Sequence, residues 1–352
     1  MLSVLAKPWL FSLVLAFTLL APDRAAADDR FGHHRRLDRI VVFGDSLSDP
    51  GNAFALNGGQ TVAPPDYGMG GVDELDIPEV IALIPEAPYA ATRRFSNGVT
   101  WIELLGGTIG LGSSVKPAFT GSDGRASNYA VGGATASGPR PVDLTGQVDF
   151  FLRDARGRAP ADALYVIEIG GNDIRAALAA ALADEDPSTV IGAALASVAA
   201  NIGKLHDAGA RKFLVWNAPD LGRTPALQRL NMFVAPGIAG VATLLSTGYK
   251  QGFAGVMAGL EATLPGIEIV QFDAFALLAD VQANPARFGL RDATTACIQP
   301  HVPEFGFPSA PPFRCALPDR HFFWDGIHPT RAGHVIIAFL VGKALLAEAL
   351  EH

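Results

Sequence analysis

The chain has 352 residues, 49% of them hydrophobic and 18% charged, with a formal charge of −8. That length can bury one sizeable core or two modest ones. The acidic balance argues against nucleic acid, whose phosphates require a basic face, and gives no pull toward anionic lipid.

The chain opens MLSVLAKPWLFSLVLAFTLLAPDRAAADD, with Lys7 first, an apolar run over 9–20, then Ala25-Ala26-Ala27. This is the order of a secretory signal peptide, expected over residues 1–27. The apolar run is short for a membrane span, which needs about 20 residues. An uncleaved anchor is the alternative. Cleavage leaves about 325 residues with a charge of about −9. Residues 28–39 are charged and lack an apolar period, so they read as a leader. Residues 40–352 then form a single domain.

IVVFG (40–44) is a short apolar run ending in glycine, which suits a strand covered on both faces. ALYVIEIGG (163–171), KFLVWN (212–217) and IEIVQFD (267–273) have the same character, and SNYAVGG (127–133) is a shorter candidate. Helices are expected between them: a brief one over 101–107, one over 187–208 behind Asp-Pro and a Ser or Thr cap, and one over 237–263. A last helix is expected from just after His328-Pro329-Thr330 to about Leu350, with Pro329 as its start. Lys343 and Glu348 interrupt its apolar run, which predicts packing on a sheet rather than a span. Alternating strands and helices imply a parallel sheet between helical layers, with chemistry at the carboxyl ends of the strands. Two long irregular stretches, 53–95 and 284–323, read as walls of a cleft, with surface decoration as the alternative.

Cys297 and Cys315 are the only cysteines. In an exported chain an even count suggests a disulfide; two buried thiols are the alternative. Two cysteines are too few for a cysteine-based zinc site.

The chemistry concentrates in a few places. Asp325 and His328 stand three apart in HFFWDGIHPTRAGH (321–334), where a carboxylate can orient an imidazole that takes a proton from a hydroxyl. Ser46 follows a strand in GDSLSDPGN (44–52) and can supply that hydroxyl, or merely cap a helix. Its motif departs from the G-x-S-x-G elbow, because Ser48 stands where that elbow has glycine. Gly132-Gly133 can bring a backbone N–H close to an oxyanion, and Asn172 can offer its amide. A tight turn and a cap are their structural alternatives. Asp45 is read as shaping the turn, and Asp49 and Asn52 as hydrogen bonders at a helix start. The other histidines, His206 and His334 among them, read as solvent-facing or structural.

GDSLSDPGN, RFSNG (94–98), NYAVGGATA (128–136), IGGND (169–173) and FWDGIHPT (323–330) resemble the successive signature blocks of the GDSL lipase/esterase family, also called SGNH hydrolases. The resemblance runs from about residue 40 to 350. It implies a three-layer α/β/α sandwich around a parallel, flavodoxin-like five-stranded sheet. It implies Ser46 as nucleophile, His328 as base and then acid, and Asp325 as its orienting carboxylate. The backbone of Ser46, the backbone of Gly133 and the side chain of Asn172 would be the oxyanion donors. Gly133 is preferred to Gly132 because it falls five residues after Asn128 in the family's N-x-x-x-x-G pattern. No metal or organic cofactor is expected. A secreted serine hydrolase cleaving carboxylic esters follows, with activity falling below about pH 6–7 as an ordinary histidine becomes charged. The alternatives are a lipid acyltransferase or phospholipase on the same triad, a polysaccharide acetyl esterase, and a binding module on an inactive hydrolase frame. An ester or lipid is the expected partner, with no nucleic acid and no integral span after signal cleavage. The oligomeric state is open, with a monomer as the working expectation.

Overall fold

Strand β1 (Arg39–Gly44) is buried along nearly its whole length, and β2 (Ala163–Glu168) along all of it. With β3 (Lys212–Trp216) and β4 (Glu268–Phe272) they form a parallel sheet in the order β1-β2-β3-β4. The computed structural model describes residues 37–56, 92–120, 124–233, 235–299 and 313–351. The signal-like segment 1–27 lies outside them, as do most of the leader, most of the stretch 53–95 and residues 300–312 of the second long stretch.

The alternation along each strand explains the continuous apolar runs. Val41, Phe43, Tyr165, Ile167, Phe213 and Val215 enter one core. Ile40, Val42, Leu164, Val166, Leu214 and Trp216 enter the other. The buried interior of β1, β2 and β3 is therefore apolar on both faces, with charges at strand ends, while β4 exposes Glu268 and Gln271. Helices α3 (Leu144–Asp154), α4 (Gly171–Leu182), α5 (Pro187–Asp207) and α7 (Ile238–Thr263) cover the first face. Helices α2 (Trp101–Thr108), α8 (Ala274–Ala283) and α9 (Arg331–Glu351) cover the second. The remaining α-helices among the described residues are α1 (Asn52–Leu56) and α6 (Pro225–Phe233).

The fifth position of the sheet is occupied without a continuous strand. Val42 N donates to Ser127 O (2.9 Å), Tyr129 N to Val42 O (2.8 Å) and Val131 N to Gly44 O (3.1 Å). The segment 127–131 thus runs parallel beside β1. Its regular bridging is confined to Asn128, which pairs with Val42 and Pro117 and whose side-chain oxygen accepts from Ala130 N (3.0 Å). With this edge included, the order is that of a flavodoxin-like sheet, whose switch point lies at the carboxyl end of β1.

Three local expectations are corrected. The cap of α5 is Asp186, not a Ser or Thr: its carboxylate accepts from Ser188 N at 2.9 Å, with Pro187 at the first helical position. Helix α9 begins at Arg331, just after His328-Pro329-Thr330 as expected, but Pro329 is not its start, because it pairs with Phe323 in a β-bridge. Thr330 caps it, its Oγ1 accepting from Gly333 N at 3.1 Å. Asn52 does not cap α1. Its Nδ2 donates to Asn128 O and Ala130 O (both 2.8 Å), which ties α1 to the fifth edge. Among the described residues one helix, α5, is long and apolar enough to cross a membrane; its Leu195, Val198, Ile202 and Leu205 lie in the core.

Cys297 and Cys315 form a disulfide across 18 residues. Cys297 N donates to Phe323 O (3.0 Å) and Ile298 N to Trp324 O (2.7 Å). The bridge therefore braces the segment that enters Asp325. A loop of that length is worth about 3 kcal/mol on the chain-entropy account. Reduction, or Cys297→Ser with Cys315→Ser, is expected to lower the thermal midpoint by several degrees. An unchanged midpoint in differential scanning calorimetry would contradict the bracing.

Candidate active site

The turn after β1 holds Ser46. Asp45 closes it as expected, its Oδ1 accepting from Leu47 N at 3.1 Å while its carbonyl accepts from Ser48 N at 3.2 Å. Gly44 lets β1 reach this turn against β2, since a Cβ there would stand 2.5 Å from Glu168 O. Ser48 is fully buried. Its Oγ donates to Glu168 Oε2 (2.8 Å) and accepts from Trp101 Nε1 (3.0 Å), and Asn128 Nδ2 donates to its carbonyl (2.9 Å). Where a nucleophile elbow has glycine, this chain has a serine that pins the turn to β2, α2 and the fifth edge.

Asp49 finishes the turn. Its carboxylate accepts from Gly51, Asn52 and Ala53 at the start of α1, and from Gly132 N at 2.9 Å. Burial outweighs these four donors and pushes its pKa up to about 6.

His328 lies 282 residues from Ser46 in sequence, and its Nε2 stands 2.8 Å from Ser46 Oγ. Its Nδ1 is 2.7 Å from Asp325 Oδ2. Asp325 Oδ1 accepts from the backbone N–H of Ile327 (2.9 Å) and of His328 (2.7 Å). The three-residue spacing thus folds into a tight loop whose carboxylate is fixed by two backbone donors. All three residues are buried. RFSNG forms the wall behind this loop. The Phe95 ring lies 5.1 Å from the His328 ring, Ser96 Oγ donates to Pro329 O (2.9 Å), and Asn97 Oδ1 accepts from Arg331 N (2.6 Å).

The two glycines separate clearly. The N–H of Gly132 is taken by Asp49, and a Cβ on Gly132 would stand 2.2 Å from the Phe95 ring. Gly133 has φ 74°. Among the described residues no protein acceptor takes the N–H of Gly133 or of Ser46. Asn172 stands at the start of α4, its Nδ2 donating to Ala134 O at 2.9 Å.

A cleft opens over Ser46. Asp45, Glu168, Asn172 and Arg175 contribute polar groups, and Ile169, Ala218, Pro219, Leu221 and Ile327 the apolar wall. Such a lining suits an apolar chain with a polar head at the reacting end.

The sequence reading did not find Glu168, Trp101 or Arg175. Glu168 carried one signal: it is the single charge in an otherwise apolar strand run. Burial, then the neighbouring Asp45 charge, raise its carboxyl pKa well above the usual range. His334 is structural, as expected. It is buried, its Nδ1 accepts from Trp101 N at 3.2 Å, and burial with the neighbouring His328 and Arg94 lowers its pKa to about 3. A histidine held neutral contributes stability that is present above its ordinary pKa of about 6.5 and is lost as pH falls toward about 3. Asp49 acts oppositely, its contribution being present below about 4 and lost as pH rises through about 6. His334 has the wider window. His334→Gln, which offers an oxygen to the same N–H, is therefore expected to unfold at lower pH than the parent chain in an acid titration followed by circular dichroism. A midpoint that stays or rises would reject this account.

The fold and this cleft together define the SGNH class of α/β/α hydrolases. The GDSL-like Lipase/Acylhydrolase family model matches residues 40–341, and the chain belongs to that family; it is a carboxylic ester hydrolase. Two GDSL esterase/lipases of Arabidopsis thaliana are each 27% identical to it. One alignment covers 93% of this chain and 89% of the relative, the other 87% of both. The thermolabile hemolysin of Vibrio parahaemolyticus is 24% identical over 89% of this chain and 68% of its own length.

Proposed function

We propose that the chain hydrolyses esters of apolar acyl chains through an acyl-enzyme on Ser46. The observation that carries this reading is the unbroken relay from Ser46 Oγ to His328 Nε2 (2.8 Å) and from His328 Nδ1 to Asp325 Oδ2 (2.7 Å). Ser46 Oγ attacks the ester carbonyl and passes its proton to Nε2. Asp325 keeps the other ring proton on Nδ1 and stabilises the imidazolium. The N–H groups of Ser46 and Gly133 and the amide of Asn172 hold the oxyanion. The imidazolium then protonates the leaving alcohol. Water enters with the same ring as base, and the acid is released.

The apolar lining at Ile169, Leu221 and Ile327 supports an acyl chain as the bound group. The disulfide and the signal-like N-terminus support export. Acyl transfer to a second alcohol uses the same acyl-enzyme, and product analysis with and without glycerol separates the two outcomes. The test of the reading is labelling with a fluorophosphonate. One adduct is expected, on Ser46 by peptide mass mapping. An adduct elsewhere, or none with a folded protein, would reject it.

A further inference from the structure

Arg175 lies on α4 one turn after Asn172, is 5% exposed, and lines the cleft with Ser46 and Asn172. A buried cation in an ester-binding cleft calls for an account, since burying a charge is costly unless it is held by partners. One such hold is explicit. Arg175 Nη1 donates to Asn172 Oδ1 at 3.0 Å, across the i, i+3 spacing that brings side chains together on a helix.

The carboxamide of Asn172 is thereby gripped at both ends. Its Nδ2 donates to Ala134 O at 2.9 Å, and its Oδ1 accepts from the guanidinium. A guanidinium offers only donors and a carbonyl only acceptors. Turning the amide over would set Oδ1 against Ala134 O and the NH₂ against Arg175, so both contacts would become repulsive. One Nδ2 hydrogen goes to Ala134, the residue after Gly133. The second Nδ2 hydrogen is the one that can meet an oxyanion beside the Gly133 N–H. An amide free to turn would instead present its oxygen to a developing negative charge.

We propose that Arg175 is a positioning residue for ester cleavage: by its bond to Asn172 Oδ1 it fixes the orientation in which the Asn172 amide aims an N–H at the oxyanion. The inference rests on Asn172 being an oxyanion donor. It differs from a role in binding an anionic substrate, because it acts on the transition state through Asn172 and not on the ground state.

The experiment is a double-mutant cycle on the full chain with a neutral p-nitrophenyl ester. Asn172→Ala is expected to lower kcat by about 100-fold or more, the usual cost of one oxyanion donor. Arg175→Gln is expected to lower kcat about tenfold, part of that cost, with KM within about twofold. In the Asn172→Ala background Arg175→Gln is expected to change kcat by less than about twofold, because the group it orients is gone. Arg175→Lys, with its donors on a single nitrogen and no fork, should fall between parent and Arg175→Gln; it carries the same cycle should the glutamine variant not fold. A change in KM alone, an equal loss in both backgrounds, or no loss at all overturns the inference. A full-activity Asn172→Ala removes the oxyanion reading beneath it. A hundredfold loss there with an additive or silent Arg175 removes the positioning inference alone.

Discussion

Ser46→Ala should lower kcat/KM toward a soluble ester by about a millionfold while leaving the fold intact. The size follows from roles that act as a unit: without the nucleophile the imidazole has nothing to activate, and earlier removals of this kind cost about 10⁶. What survives is the contribution of oxyanion donors and substrate binding, about 10³–10⁴ over water. The fold should persist because, among the described residues, Ser46 Oγ has one partner, His328 Nε2, so its loss strips no backbone group there of a bond. Ser48→Ala is the matched control, since GDSLSD offers two serines. Ser48 Oγ sits between Glu168 Oε2 and Trp101 Nε1. Losing it leaves two buried polar groups without that partner, at about 1–3 kcal/mol each. Thermal unfolding should therefore drop for Ser48→Ala and hold for Ser46→Ala, with fluorophosphonate labelling showing the reverse. A Ser46→Ala protein that keeps a tenth of parental activity sinks the proposed mechanism.

The contrast between these serines bears on how far the sequence could be read. The strands β1 to β3 were legible because their buried residues are apolar on both faces, so IVVFG, ALYVI and FLVW stand out as runs; β4 is a weaker signal, with Glu268 and Gln271 exposed among Ile269, Val270 and Phe272. The long helices α5, α7 and α9 were legible by length. Helices α3, α4, α6 and α8 went unread. In α4 the run GNDIRAALAAAL begins with residues that face the cleft, so polar groups are buried at its first turn and the apolar stripe starts late. Residues 127–133 read as a strand, yet only 127–131 lie beside β1 and only Asn128 forms regular bridges, its side chain also binding Ser48 O and Ala130 N.

The site was legible where chemistry compresses into neighbouring residues. The spacing of Asp325 and His328 is a weak signal alone and gains its weight beside the other signature blocks, and the Cys pair is suggested by count. Arg175 and Glu168 do not, because each acts through a partner defined only in three dimensions. Arg175 meets Asn172 by helical spacing, a pattern shared by any residue of an ordinary helix. Glu168 meets Ser48 across 120 residues through the register that sets Gly44 beside Glu168 at the carboxyl ends of β1 and β2. The choice between Gly132 and Gly133 likewise turns on which N–H is already taken, and Asp49, 83 residues from Gly132, takes the first.

Asp325→Asn is the second large expected loss, about 10⁴ in kcat, and its cause is the wrong ring tautomer rather than a missing charge alone. Asp325 Oδ1 is held by two backbone donors, Ile327 N at 2.9 Å and His328 N at 2.7 Å. An asparagine must satisfy those donors with its oxygen, because its NH₂ cannot accept. The NH₂ is then turned to the position of Oδ2, 2.7 Å from His328 Nδ1. There it can only donate, so Nδ1 must be the bare nitrogen and the ring proton moves to Nε2. Nε2–H then points at Ser46 Oγ, where it cannot take the serine proton. The geometry of the loop stays the same, so KM and the thermal midpoint should change little while kcat collapses. Asp325→Ala, which lets the ring choose either tautomer, should lose no more than Asp325→Asn despite removing more atoms. Retention of more than a hundredth of parental kcat by Asp325→Asn, or a far larger loss from Asp325→Ala in a protein that still folds, would show that the carboxylate does not act by fixing the imidazole.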